Sequence, residues 1–150
     1  MHQSEIDLIV SYLRPEYKMF EWGCGGSTLY FSKYVSFYRS IEHQKTWFDK
    51  ITPLISKNTD LNYIDDTNNY TNYINAIDNY YDKYDAILID GRQRVKCAKK
   101  STEYLNPKGY IFVHDYFNRP KYYSIQNISM YNLIDGIRNT QQTLAVFQYK

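Results

Sequence analysis

Between Phe20 and Phe31 the chain reads FEWGCGGSTLYF, and this segment constrains the fold more than any other. Gly23, Gly25 and Gly26 stand within four positions, with Glu21 just before them and Ser27-Thr28 just after. Glycines at this density let the backbone take positive φ and let another group approach where a Cβ would collide. The apolar run Tyr17–Trp22 ahead of them reads as a strand, and Ser27–Lys33 behind them reads as a helix. The glycines therefore sit in a strand-to-helix turn, the joint of a parallel sheet.

The rest of the chain repeats that alternation. Ser4–Leu13 is an amphipathic helix with Ser4 as its cap and Pro15 as its stop. Strands are expected at Val35–Glu42, Leu61–Ile64, Tyr84–Asp90 and Tyr110–Asp115. Helices are expected at Lys45–Ser56, across the Tyr/Asn-rich stretch 67–84 through Tyr73, Ile74, Ile77 and Tyr81, and at Gln93–Leu105 up to a stop at Asn106-Pro107-Lys108-Gly109. A short helix near Pro120–Asn127 precedes two strand-like runs, about 130–137 and 143–149, joined by RNTQQ as a hairpin. The fold class is α/β: a Rossmann-like three-layer sandwich with a mostly parallel seven-stranded sheet and a C-terminal antiparallel hairpin. Its 150 residues suit one domain, 1–150. Ligands of such sheets sit at the carboxyl ends of the strands, so the tips carry the functional residues.

Charge argues against a nucleic-acid footprint, because 18 basic against 16 acidic residues leave a formal net charge of only +2. Cys24 and Cys97 form neither a zinc set nor a disulfide framework, which points to a reduced interior. Cys24 reads as a small residue in a tight turn. The N-terminal MHQSEIDLIVSYLRPEY has acids where a secretion signal is apolar, and no run approaches membrane-spanning length. A soluble, cytoplasmic protein without a membrane partner is expected.

The glycine turn admits three ligands. A phosphate loop needs a Lys-Ser/Thr pair after the last glycine, and here Ser27-Thr28 follow without a lysine. A dinucleotide turn needs Gly-x-Gly-x-x-Gly, and Thr28 holds the third position. The remaining ligand is a nucleoside without phosphate, with Glu42 nineteen positions after Gly23 accepting the ribose hydroxyls. The E-x-G-x-G-G-S-T segment resembles motif I of class I S-adenosylmethionine-dependent methyltransferases. So do Glu42, the acids after the third strand, YDAILIDG at the fourth, GYIFVHDY at the fifth and the terminal hairpin. That resemblance implies S-adenosylmethionine as cofactor. Glu21, Gly23, Gly25, Gly26, Ser27 and Thr28 would hold its methionine part, Glu42 its ribose, Asp65 or Asp66 its adenine, and Asp90 would border it.

The acceptor is read from the last tips. Ile89-Asp90-Gly91-Arg92 lacks the N/D-P-P-Y/F/W of base N-methylation. The segments I-D-G-R, C-A, L-x-P-x-G and F-V-H-D-Y are similar to glucuronoxylan-type carbohydrate O-methyltransferases, which implies a sugar, nucleotide-sugar or polysaccharide hydroxyl as acceptor. Asp115 is then the candidate general base, with His114 as orienter or alternate base and Asp90 beside them. A regular strand would send His114 and Asp115 to opposite faces. Asp90 and Asp115 also resemble the metal ligands of catechol-type enzymes. Tyr116 stands where those carry Asn, however, which removes the third ligand of a divalent site. Arg92, Arg94, Tyr116 and Arg119 are candidate substrate contacts, since guanidinium forks suit a carboxylate or phosphate. The alternative for the basic residues is a solvated helix face through Lys96, Lys99 and Lys100. RNA or protein acceptors, and a non-catalytic cofactor-binding subunit, are the alternative functions. The chain has no insertion to cover a deep acceptor pocket, so a homodimer or a partner is expected.

Overall fold

The computed structural model describes residues 1–139, 141 and 143–150. The chain runs α1 (Gln3–Tyr12), β1 (Lys18–Trp22), α2 (Gly26–Phe31), β2 (Phe37–Glu42), α3 (Lys45–Ile51), β3 (Thr59–Tyr63), α4 (Thr71–Asn75), β4 (Tyr84–Ile89), α5 (Arg94–Ser101), β5 (Leu105–His114), β6 (Tyr131–Arg138) and β7 (Thr143–Tyr149). The strands form one sheet in the order β3-β2-β1-β4-β5-β7-β6. β1 to β5 pair in parallel, whereas β7 is antiparallel to both β5 and β6. The expected architecture is the observed one. Among the described residues no helix is long and apolar enough to cross a membrane.

Alternation along the central strands builds two cores. Phe20, Ile87, Ile89, Ile111 and Val113 face one layer with Tyr73, Ile77, Cys97 and Ala98 of the α4–α5 side. Met19, Ala86, Leu88 and Phe112 face the other layer with Ile9 and Leu13 at α1 and Phe31 of α2. Strands covered on both faces read as continuous apolar runs, which is why YDAILI and YIFV were legible. Many of the tyrosines are structural: Tyr38, Tyr73, Tyr84 and Tyr116 are all buried to 1% exposure or less.

Several boundaries differ from the expectation, each for a local reason. The backbone N–H of His2, not a Ser4 side chain, closes the start of α1 by donating to Glu5 Oε2 at 2.7 Å. α3 ends at Ile51 and tightens into a 3₁₀ turn over Thr52–Leu54, which contains Pro53. The stretch read as one helix over 67–84 holds only α4 and a 3₁₀ turn, Ala76–Asn79. Asn69 and Tyr70 are both left-handed, which breaks the helix before it starts, and Tyr81 lies fully exposed. Asn106–Gly109 does not separate helix from strand. It is swallowed by β5 as an irregularity in which Leu105 pairs with Tyr84 and Tyr110 with Ala86. Thr140 and Gln142 of the RNTQQ connection lie outside the described residues.

The sheet order reverses between β1 and β4, and there the backbones pass unusually close. Gly23 has φ +100°, and a Cβ on it would lie 2.9 Å from the Cα and N of Gly91. A Cβ on Gly91 would collide with the Tyr73 hydroxyl and stand 3.0 Å from the Trp22 carbonyl. Gly25 differs, because its φ of 168° is ordinary extended backbone and a Cβ would meet nothing within 4 Å. Gly91→Ala is therefore expected to destabilise the protein by roughly 1–3 kcal/mol. Gly25→Ala should stay within about 0.5 kcal/mol of the wild type. Urea denaturation of the two variants checks the contrast.

Candidate active site

Glu21 lies at the base of the glycine turn, fully buried. Ser27 Oγ donates to its Oε1 at 2.5 Å, while Thr28 Oγ1 and Ser40 Oγ donate to Oε2 at 2.6 and 2.8 Å. One carboxylate thus ties the end of β1 to the first turn of α2 and to β2. Thr28 is equally buried, and its Oγ1 also accepts the Gly25 N–H at 3.0 Å. Glu21 and Thr28 shape the turn from beneath rather than opening onto the crevice above it. Burial pushes the Glu21 carboxyl up to about 7, outweighing the three hydroxyl donors.

Glu42 ends β2 and accepts three backbone N–H groups. Cys24 donates to Oε2 at 2.8 Å, and His43 and Gln44 donate to Oε1 at 2.9 and 2.7 Å. Burial pushes its carboxyl up, but the His43 side chain and the N–H groups of Gln44 and Cys24 prevail and hold it below the usual range. Burial pushes the Cys24 thiol well up, which keeps it protonated and agrees with its reading as a turn filler.

Two cavities meet over this turn. One, of about 220 Å³, is bordered by Gly23, Glu42, His43 and Gly91. The other, of about 370 Å³, is bordered by Gly25, Gly26, Ser27 and Tyr30. Cys24, Trp47 and Asp90 line both. Asp65 and Asp66 are not brought here. Both are exposed, and Asp65 turns back to accept the N–H and hydroxyl of Thr67 at 3.3 and 2.8 Å.

The tips of β4 and β5 are locked together by Arg94. Its Nε donates to the Gly91 carbonyl and its Nη2 to the Asp90 carbonyl, both at 3.0 Å, and Nη1 donates to the His114 carbonyl. Nη2 also lies 3.4 Å from one carboxylate oxygen each of Asp90 and Asp115. Expected to reach a substrate, Arg94 is 8% exposed and works as an internal clamp. His114 Nδ1 pairs with Asp90 Oδ1 at 2.8 Å and lies 3.8 Å from Asp115 Oδ1. The alternation argument fails here because Asp115 is left-handed, φ +57°, so the chain leaves the strand and both side chains join one cluster. Aspartate is among the few side chains that accept this conformation readily. The same turn sends Tyr116 inward. It is 1% exposed against Phe147, not a substrate contact.

Glu5 was missed. It is fully buried, lies 3.5 Å through Oε1 from His114 Nε2, and accepts the Thr143 N–H at 3.1 Å. The signal was present, because Glu5 shares the apolar stripe of α1 with Ile9 and Leu13, where an acid must find partners. Burial pulls the His114 pKa down but is outweighed by Asp90, Asp115 and Glu5, so the ring keeps its proton above its ordinary range. His43 and Trp47, which line the cavities over the turn, were missed too, since no motif announces them.

No family model matches the sequence, and no curated protein matches it. Solved structures do. A methyltransferase-like protein from Silicibacter pomeroyi superposes with a TM-score of 0.77 at 20% identity, over 100% of this chain and 87% of that one. A putative methyltransferase from Streptococcus mutans, in complex with SAH, gives 0.71 at 14% identity over 100% of both chains. This is the methyltransferase fold. The N-methyltransferase NodS from Bradyrhizobium japonicum, in complex with S-adenosyl-L-homocysteine, shares it with a TM-score of 0.76 at 13% identity, over 99% of this chain and 85% of that one. At these identities the likeness is one of fold.

Of the two groups this fold implies, the residues present suit one and not the other. Gly25 and Gly26 border the larger cavity, and a Cβ on either would enter open space, so the room there suits a ligand. A divalent metal does not fit. Among the described residues no three His, Cys, Asp or Glu side chains are placed to hold a metal ion, and Asp90 and Asp115 both face the Arg94 guanidinium, which supplies the positive charge between them.

The raised Glu21 pKa has a stability consequence with a definite sign. Below about pH 4.5 folded and unfolded chains both hold the proton; between about 4.5 and 7 the unfolded chain releases it first, so stability falls as pH rises. Relative to Glu21→Gln, wild-type stability should drop by on the order of 3 kcal/mol across that window. Urea midpoints of both proteins at pH 4.5, 6 and 7.5 measure the difference.

Proposed function

We propose that this protein is an S-adenosylmethionine-dependent O-methyltransferase whose acceptor is a sugar, nucleotide-sugar or polysaccharide hydroxyl. The observation that carries the cofactor part of the reading is the pair of cavities meeting at Cys24, Trp47 and Asp90, with the glycine turn under one and Glu42 under the other; the acceptor class rests on the resemblance of the β4 and β5 tips. A nucleoside in the smaller and an amino-acid chain in the larger would match that division. Gly25, Gly26 and Ser27 would border the methionine part. Glu42, already aligned by three N–H donors and retaining acceptor capacity, would take the ribose hydroxyls. His43 and Trp47 would flank the base. When bound, the cofactor supplies an electrophilic methyl group carried on a positively charged sulfur.

The chain's own contribution is alignment and proton handling. Asp115, 25% exposed and held by Arg94 and Arg119 through the same oxygen, keeps Oδ1 free of any hydrogen bond among the described residues and would take the proton of the acceptor hydroxyl. His114 holds its own proton and acts as orienter, anchored to Asp90 on one ring nitrogen and facing Glu5 on the other. Arg94 fixes the spacing of the two tips by bridging their carbonyls.

Two substitutions test this division of labour. Glu42→Ala should weaken S-adenosylhomocysteine binding in isothermal titration by about 10- to 100-fold, the loss expected for a charged hydrogen-bonding group. Asp115→Asn, which keeps a side chain tolerant of positive φ, should leave that affinity within about twofold and lower turnover by roughly 10²- to 10⁴-fold. Wild-type protein that fails to bind S-adenosylhomocysteine would sink the cofactor assignment, and normal turnover in Asp115→Asn would remove Asp115 as the base.

A further inference from the structure

The largest cavity described is not one of the two over the glycine turn. It measures about 490 Å³ and opens between the β4–α5 turn and the 3₁₀ segment Pro120–Asn127, walled by Tyr70, Arg92, Arg94, Arg119, Lys121 and Tyr122. Among the described residues no acidic side chain lines it. Its four cations include Arg94 and Arg119, and the carboxylates that face these are Asp90 and Asp115. Four positive charges against two negative ones leave a surplus of two. Arg92 and Lys121 are exposed, and neither has a carboxylate within ion-pair distance among the described residues; Lys121 Nζ lies over the Tyr122 ring at 5.3 Å. Such a surplus concentrates anions in a concave, aromatic-walled recess.

The recess also adjoins the proposed reaction centre. Gly91, Arg92 and Arg94 border both it and the smaller cavity over the glycine turn, and Arg119 reaches Asp115 Oδ2 at 3.6 Å. A group held by Arg92, Arg119 and Lys121 would therefore anchor a molecule whose other end meets Asp115. We propose that this recess is an anion subsite, and that the methyl acceptor is a small molecule carrying a phosphoryl group. The assignment rests on the methyl-transfer reading above and narrows its acceptor. A phosphomonoester or diphosphate matches a surplus of two charges and the donor geometry of paired guanidinium forks, where a single carboxylate needs only one. The basic strip, for which a solvated helix face was the alternative reading, is divided: Arg92 and Arg94 border the recess, while Lys96 and Lys99 are exposed outside it.

The test uses inorganic pyrophosphate as the probe, with S-adenosylhomocysteine titrated in parallel on the same protein. Wild type should bind pyrophosphate saturably, and Arg119→Ala/Lys121→Ala, two exposed positions outside the cofactor cavities, should weaken it at least tenfold. S-adenosylhomocysteine affinity should move less than twofold. The single variant Lys121→Ala should show part of the same loss. No saturable binding, or equal binding in wild type and double variant, overturns the subsite while leaving the cofactor reading intact. Glucuronate binding as tightly as pyrophosphate overturns the phosphoryl assignment. An RNA 20-mer that binds far more tightly, with the steep salt dependence of many phosphate contacts, overturns the small-molecule acceptor. Pyrophosphate binding without any S-adenosylhomocysteine binding removes the methyl-transfer reading, and the acceptor role with it.

Discussion

The approach of Gly23 to Gly91 is the constraint on which the rest of the molecule depends. Where the sheet order reverses, the connections leaving β1 and β4 pass to opposite faces of the sheet, and a crevice opens between them above the paired strand tips. A Cβ on Gly23 would lie 2.9 Å from Gly91, so the floor is two bare backbones. Hydrogen bonds then close it from both sides: Gly23 donates to the Ile41 carbonyl at 2.8 Å and Asp90 to the Trp22 carbonyl at 3.1 Å. Because the floor holds no side chains, the walls can be functional. Glu42 rises on one side and Asp90 on the other, each delivered by the end of a strand whose interior is core.

Electrostatics above that floor is resolved by pairing rather than by exposure. Asp90, Asp115 and Glu5 surround His114, and unpaired they would repel one another in a poorly solvated cluster. Arg94 supplies opposing charge, and it additionally donates to three carbonyls at the strand ends. Breaking such a network by removing one member leaves a buried charge unmatched, which costs more than the net value of the pair. The left-handed turn at Asp115 belongs to the same arrangement. It costs conformational energy on the order of 1 kcal/mol and brings the Asp115 carboxylate against Arg94 and Arg119.

The sheet, its order-defining alternation and the residues at its strand tips were legible because each is written in local residue types. Gly23, Glu42, Asp90 and Asp115 occupy strand ends, and strand ends announce themselves by the break from apolar run to glycine or acid. What was not legible depends on non-local packing. Glu21 reads the same in sequence whether its carboxylate faces a ligand or three hydroxyls, and only the approach of Ser40 on the neighbouring strand decides it. Tyr116 looked like an exposed tip residue, but one residue of positive φ rotated it into the core beside Phe147. The helix over 67–84 failed for a related reason, since two left-handed residues in succession, Asn69 and Tyr70, are invisible to a reading of apolar spacing. The inserted β7 could be anticipated only by resemblance, because adjacency in a sheet is not adjacency in sequence.

The two halves of the site differ in how they are built, and that difference has a physical basis. The glycine-turn half is made from backbone groups and short side chains locked by hydrogen bonds, so its shape is set by the fold. The half beyond Asp90 is walled by Arg92, Arg119 and Lys121, long side chains that are all exposed. Ordering each of them around a ligand costs about 1–2 kcal/mol of side-chain entropy, so only a ligand with strong charge complementarity gains from the contact. A neutral acceptor would find a recess that resists being organised. An anion of two charges would organise it and draw Arg119, already leaning on Asp115, into a fixed position beside the proposed base. Acceptor binding and the alignment of Asp115 would then be one event, in which the charge of the substrate completes the geometry that the chain alone leaves open.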